Sequence, residues 1–88
     1  MLTEQITITN EQGLHLRPTN LLCQEALNYQ CSIKIKVREK EANAKSLLNV
    51  LAAQVKQGDT ITLVCNGEDE EEAMNAVKSL LEHGLGDF

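Results

Sequence analysis

The residues Gly13-Leu14-His15-Leu16-Arg17-Pro18 set an imidazole and a guanidinium two positions apart, framed by a glycine and a proline. Glycine permits backbone angles that other residues avoid. Proline, which has no N–H, suits the first turn of a helix. The segment therefore reads as a loop running into a helix, with His15 and Arg17 at its mouth. A helix start presents N–H groups without intrahelical partners and a partial positive charge, which together suit an anion. A neutral imidazole nitrogen is a good nucleophile near pH 7, since its unperturbed pKa is about 6.5. The planar fork of arginine can hold two phosphate oxygens. The backbone N–H groups of Leu16 and Arg17 would add donors. Phosphoryl transfer asks mainly for positioning and charge stabilisation. Phosphate chemistry is thus expected here, with His15 as nucleophile and Arg17 as the stabilising cation.

The rest of the chain limits what can surround this stretch. With 88 residues, one domain over 1–88 is the expectation. A domain of this size buries only roughly 60–65% of the surface its unfolded chain exposes. One Tyr and one Phe leave the core to aliphatic side chains. A formal net charge of −5 argues against nucleic acid as a partner. No apolar run approaches the roughly 20 residues of a membrane span. The start, Met1-Leu2-Thr3-Glu4-Gln5, lacks the features of a signal peptide, so a cytoplasmic protein is expected. Cys23, Cys31 and Cys65 are odd in number, and no two stand at C-x-x-C spacing. Buried reduced thiols are expected, with neither a zinc site nor a dithiol motif. No P-loop, metal-ligand cluster or paired catalytic carboxylates are visible, so neither a cofactor nor a true enzyme is expected.

The elements that must position His15 follow from periodicity. Residues 2–9 alternate as a strand, and Asn10-Glu11-Gln12-Gly13 reads as a turn. Residues 16–28 carry the apolar side of a helix. In residues 31–38, Ile33, Ile35 and Val37 alternate with Lys34, Lys36 and Arg38, which places the aliphatics on a core and the three cations in water. Residues 42–44 form a short edge strand. Ser46 suits the N-cap of a helix over 47–53. That helix has too many aliphatics for one stripe, so some of Leu47, Leu48 and Leu51 should face outward as a contact patch. Residues 60–65 form the last strand, with Thr60 and Thr62 outward. The acidic run Glu68 to Glu72 starts a final helix reaching Leu81, as the macrodipole favours. Gly84 should stop it, His83 should be solvated at its end, and the tail through Phe88 should be loose. The order is βαββαβα, an α+β fold with helices on one face of an antiparallel sheet and the other face exposed.

These residues resemble a known family, the histidine-containing phosphocarrier (HPr) family of the bacterial phosphoenolpyruvate-dependent sugar phosphotransferase system. Gly13 to Pro18 resembles its active-site signature, and Asn43-Ala44-Lys45-Ser46-Leu47-Leu48 resembles its second signature. Gln57-Gly58-Asp59 and Gly67-Glu68-Asp69-Glu70-Glu71 fall where the family has similar turns. The resemblance implies an open-faced β-sandwich, a four-stranded antiparallel sheet covered on one face by three helices.

It also implies that His15 accepts phosphoryl on Nδ1 from enzyme I and passes it to the IIA domain of a sugar permease. Ser46 would be a regulatory phosphoacceptor for an HPr kinase/phosphorylase. Leu47, Leu48 and Leu51, with Leu16 and Asn20, would form the partner-binding surface, and Arg17 and Lys45 would steer an acidic partner. Leu16 stands where the family usually has a small residue, and Thr19, followed by Asn20, stands where it usually has alanine after the proline. The alternative is a paralogue of the nitrogen or catabolite-repression type, acting on a transcription regulator through Ser46 and the leucine patch, or a domain of a multiphosphoryl protein.

Overall fold

Alternation of β-branched and polar residues builds four strands, and apolar stripes of helical period build three helices over them. The computed structural model describes residues 1–84. In chain order these are β1 (Leu2–Thr7), α1 (Leu16–Ala26), β2 (Ser32–Val37), β3 (Lys40–Asn43), α2 (Leu47–Ala52), β4 (Thr60–Asn66) and α3 (Glu70–Ser79). The sheet is antiparallel throughout, in the order β1-β4-β2-β3. Ile6 faces Ile61, Ile35 faces Leu63, and Lys34 faces Asn43.

One face of this sheet is the core. Ile6, Ile33, Ile35, Val37, Ile61, Leu63 and Cys65 lie beneath Leu22, Ala26, Val50, Ala73 and Val77 of the helices. Burying each of the larger aliphatics stabilises the fold by about 1.5–3 kcal/mol. Cys23, Cys31 and Cys65 are buried free thiols, and burial pushes Cys65 up to about 11. The opposite face is open and polar, with Lys34 and Lys36 both beside the Glu41 carboxylate.

Several boundaries differ from the expected ones. β1 ends at Thr7, but Ile8 stays buried and its N–H bonds Asp59 O at 2.8 Å, so the chain keeps course into the turn. The edge strand is displaced to Lys40–Asn43, because Val37 and Lys40 close a two-residue hairpin. The final helix starts at Glu70, later than Glu68, because Asp69 turns its carboxylate onto the N–H groups of Gln30 and Cys31 at 2.8 and 2.9 Å. It does not stop as an α-helix short of Gly84 but widens into a π-helical turn, Leu80–Gly84, with Leu81 buried and His83 exposed. The expected loose tail lies outside the described residues.

Arg38 is the main departure within a strand's pattern. It does not extend the solvated stripe of Lys34 and Lys36. At φ +56 it turns the hairpin and reaches across to the end of α2, donating to Ala53 O at 2.8 Å, Gln54 O at 3.0 Å and the Asp59 carboxylate at 2.5 Å. The Ala53 carbonyl is one that a helix C-terminus leaves without an intrahelical partner, and that of Gln54 follows it. Gln54, at φ +54, closes the helix in a left-handed turn. The Lys56 N–H and the Arg38 guanidinium hold the Asp59 carboxyl below its usual range.

Candidate functional site

The loop before α1 is held at successive residues. Gly13 has φ +63, and its N–H bonds Asn10 O at 3.0 Å. Its backbone is pressed against the connection after α2: a Cβ there would run into Val55 O and stand 2.7 Å from Lys56 Cα. Only glycine serves both needs. Leu14 is buried, and its N–H bonds Val55 O at 3.0 Å. Its carbonyl accepts from the Thr19 hydroxyl at 2.9 Å. Pro18 sits in the first turn of α1, where its missing N–H takes nothing from the helix.

His15 is the N-cap residue of α1, with extended backbone (φ −82, ψ −168) and no cap bond from its side chain. The imidazole is therefore left to the surface. It is half-buried and lines a depression of about 450 Å³ with Leu16, Arg17 and Asn20. The His15 carbonyl accepts from Thr19 N–H at 3.0 Å, which starts the helical ladder. The first-turn N–H groups of an α-helix, here those of Leu16 and Arg17, point out of its N-terminal end, where the macrodipole adds partial positive charge. Leu16 is 60% exposed, directly beside the imidazole. Asn20, one turn further on, closes the same wall. The arrangement can present a ring nitrogen to an incoming group while a guanidinium and backbone donors face that group's oxygens.

The second group of expected residues lies on α2, which packs against α1. Ser46 is its N-cap, and the hydroxyl accepts from Asn49 N–H at 3.3 Å. Leu48 is 76% exposed. Leu47 and Leu51 are half-buried, and Leu47 packs on the core, so the outward patch of α2 is narrower than three leucines. The reason is helical spacing: Leu47 lies one turn from buried Val50, Leu48 points away, and Leu51 falls between the two. Lys45 is not beside His15. Its ammonium donates to Tyr29 O at 2.6 Å, beyond the opposite end of α1. Thr19 and Asp69 are side chains whose tertiary roles periodicity did not disclose. Thr19 is a buried polar residue at an otherwise apolar position, and that mismatch is the one signal it offered. Among the described residues, no group of three or more His, Cys, Asp or Glu could hold a metal ion.

An open-faced sandwich whose first helix starts at a half-buried histidine with its imidazole at the surface defines a class of small α+β protein, and comparison with known proteins gives the class a name. The family described as "PTS HPr component phosphorylation site" matches residues 2–83. The phosphocarrier protein HPr of Lysinibacillus sphaericus is 41% identical over 86 residues, covering 97% of this chain and 98% of that protein. DhaM of Providencia stuartii, the phosphoryl donor subunit of a PEP-dependent dihydroxyacetone kinase, is 40% identical over 98% of this chain, which spans only 18% of DhaM. The crystal structure of HPr-C-His from Thermoanaerobacter tengcongensis superposes with a TM-score of 0.94 at 36% identity, covering 100% of this chain and 99% of that one. The chain belongs to the HPr phosphocarrier family of the phosphotransferase system.

Proposed function

We propose that residues 1–88 act as one stoichiometric phosphoryl carrier in the cytoplasm, with His15 as the acceptor. A ring nitrogen, Nδ1 by family likeness, attacks phosphorus of the phosphorylated donor, enzyme I. A P–N bond forms to His15 as the donor's bond to phosphorus breaks. The second transfer reverses these roles, with the IIA domain of a sugar permease as nucleophile. Arg17 and the Leu16 and Arg17 N–H groups bear the phosphoryl oxygens. Leu16, Asn20 and Leu48, flanked by Leu47 and Leu51, meet the partner. Ser46 is a site where an HPr kinase would add about −1.5 to −2 of charge beside that surface.

The observation that carries this reading is the N-cap imidazole, uncommitted to capping and half-exposed in the depression it shares with Arg17. The test is incubation with phosphoenolpyruvate and enzyme I, followed by mapping of the acid-labile phosphate. His15→Ala should abolish the label. Labelling of that variant at the full rate would overturn the proposal.

A further inference from the structure

We infer that Thr19 is a positioning residue for phosphoryl transfer, a buried clamp that fixes the direction in which His15 presents its ring. The inference rests on the reading of His15 as phosphoryl acceptor. Thr19 is fully buried, at 0% exposure, on the core side of α1. Its hydroxyl donates to Leu14 O at 2.9 Å and its backbone N–H donates to His15 O at 3.0 Å. One residue thus holds two consecutive carbonyls, those on either side of the His15 Cα. The Leu14 N–H is fixed separately by Val55 O at 3.0 Å. With both flanking peptide planes fixed, the Cα–Cβ bond of His15 has one direction.

The backbone bond from Thr19 to His15 belongs to any helix starting here. The hydroxyl bond to Leu14 is extra, and it comes from the side chain alone. Without it, the Leu14 carbonyl loses its donor in a buried setting, and the peptide before His15 can rotate toward another. In-line attack tolerates such rotation poorly, since misplacement of about 1 Å can cost roughly 100-fold in rate. The residues that meet a partner, Leu16, Asn20 and Leu48, do not depend on this bond. The clamp therefore acts on the transfer step and leaves docking alone.

The test compares Thr19→Val, which keeps volume and removes the hydroxyl, with Thr19→Ser, which restores it. With phospho-enzyme I as donor and the carrier varied, Thr19→Val should lower kcat about tenfold or more with KM unchanged, and Thr19→Ser should recover most of the loss. Assays run well below the melting temperature of each variant exclude unfolding. In parallel, three-bond HN–Hα couplings measured by NMR should show the His15 φ distribution broadened in Thr19→Val and restored in Thr19→Ser. A wild-type kcat in Thr19→Val, a change confined to KM, or failure of Thr19→Ser to rescue would overturn the clamp. If the wild-type chain takes no phosphoryl group at all, the carrier reading fails instead. The couplings then judge the clamp alone, and an unchanged His15 φ in Thr19→Val would refute it.

Discussion

Gly13→Ala should be among the most damaging single-methyl substitutions in this chain, and its size can be worked out from two separate costs. The first is conformational. At φ +63 an alanine sits in the left-handed region, which costs about 1–2 kcal/mol. The second is steric. The new methyl would meet backbone, Val55 O and Lys56 Cα, where no side chain can swing aside, and overpacking of this kind costs about 1–3 kcal/mol. Stiffening of the unfolded chain returns about 0.4–1 kcal/mol. The net loss is about 2–4 kcal/mol, against a total stability of roughly 4–13 kcal/mol for a chain of this length. At about 4–8 °C per kcal/mol, melting should fall by about 8–32 °C.

Gly58→Ala is the control. Gly58 has φ +91, and a methyl added there would find nothing within 4 Å, so it bears a conformational cost at least equal to that at Gly13 and no collision. Urea titration of both variants separates the two costs. Gly13→Ala should have the lower midpoint, and it should also transfer phosphoryl slowly, because the displaced residues lead into His15. Equal midpoints for the two variants would refute the claim that backbone contact at Val55, rather than dihedral angle alone, demands glycine.

Two further outcomes are expected. Ser46→Ala removes the bond to Asn49 N–H and should lower stability by about 1 kcal/mol, while Ser46→Asp, which keeps a capping oxygen, should not; thermal melts of the three proteins decide this. Asp69→Asn should destabilise at pH 7 and matter less in acid. The N–H groups of Gln30 and Cys31 hold the Asp69 carboxyl below its usual range, so its contribution is complete above the ordinary carboxylate pKa of about 3.9 and fades as pH falls through the lower folded value. Urea midpoints of wild type and variant should therefore stay apart at neutral pH and converge only as pH falls below about 3.9, and a constant gap would contradict the assignment.

Period-two alternation in β2 and β4 and the glycine and proline flanking His15 carried most of the architecture in local sequence. So did the N-cap role of Ser46, because a cap bond spans three residues and obeys local rules. What local rules could not convey is which distant backbone group a polar side chain will reach. Arg38 occupies the outward phase of a strand, as Lys34 and Lys36 do, but bonds carbonyls at the end of α2. Asp69 looks like one more acid in a helix-starting run, yet it bridges to the beginning of β2. Lys45 adjoins Ser46 in sequence, but its ammonium is bound at Tyr29. In each case the tertiary partner, set by how the helices lie on the sheet, overrides the local pattern. For Leu47 and Leu51 the cause is different: a six-residue helix shows too little of its period for inward and outward leucines to be told apart.

The short connection leaving α2 is gripped from two sides. Arg38 takes hold of it through Ala53 and Gln54, and Leu14 takes hold of the next carbonyl, that of Val55. Three successive carbonyls thus couple the tip of the β2–β3 hairpin to the residue preceding His15. A ligand or substitution that displaced the hairpin tip would pull on the peptide before His15 through backbone carbonyls rather than through side-chain packing.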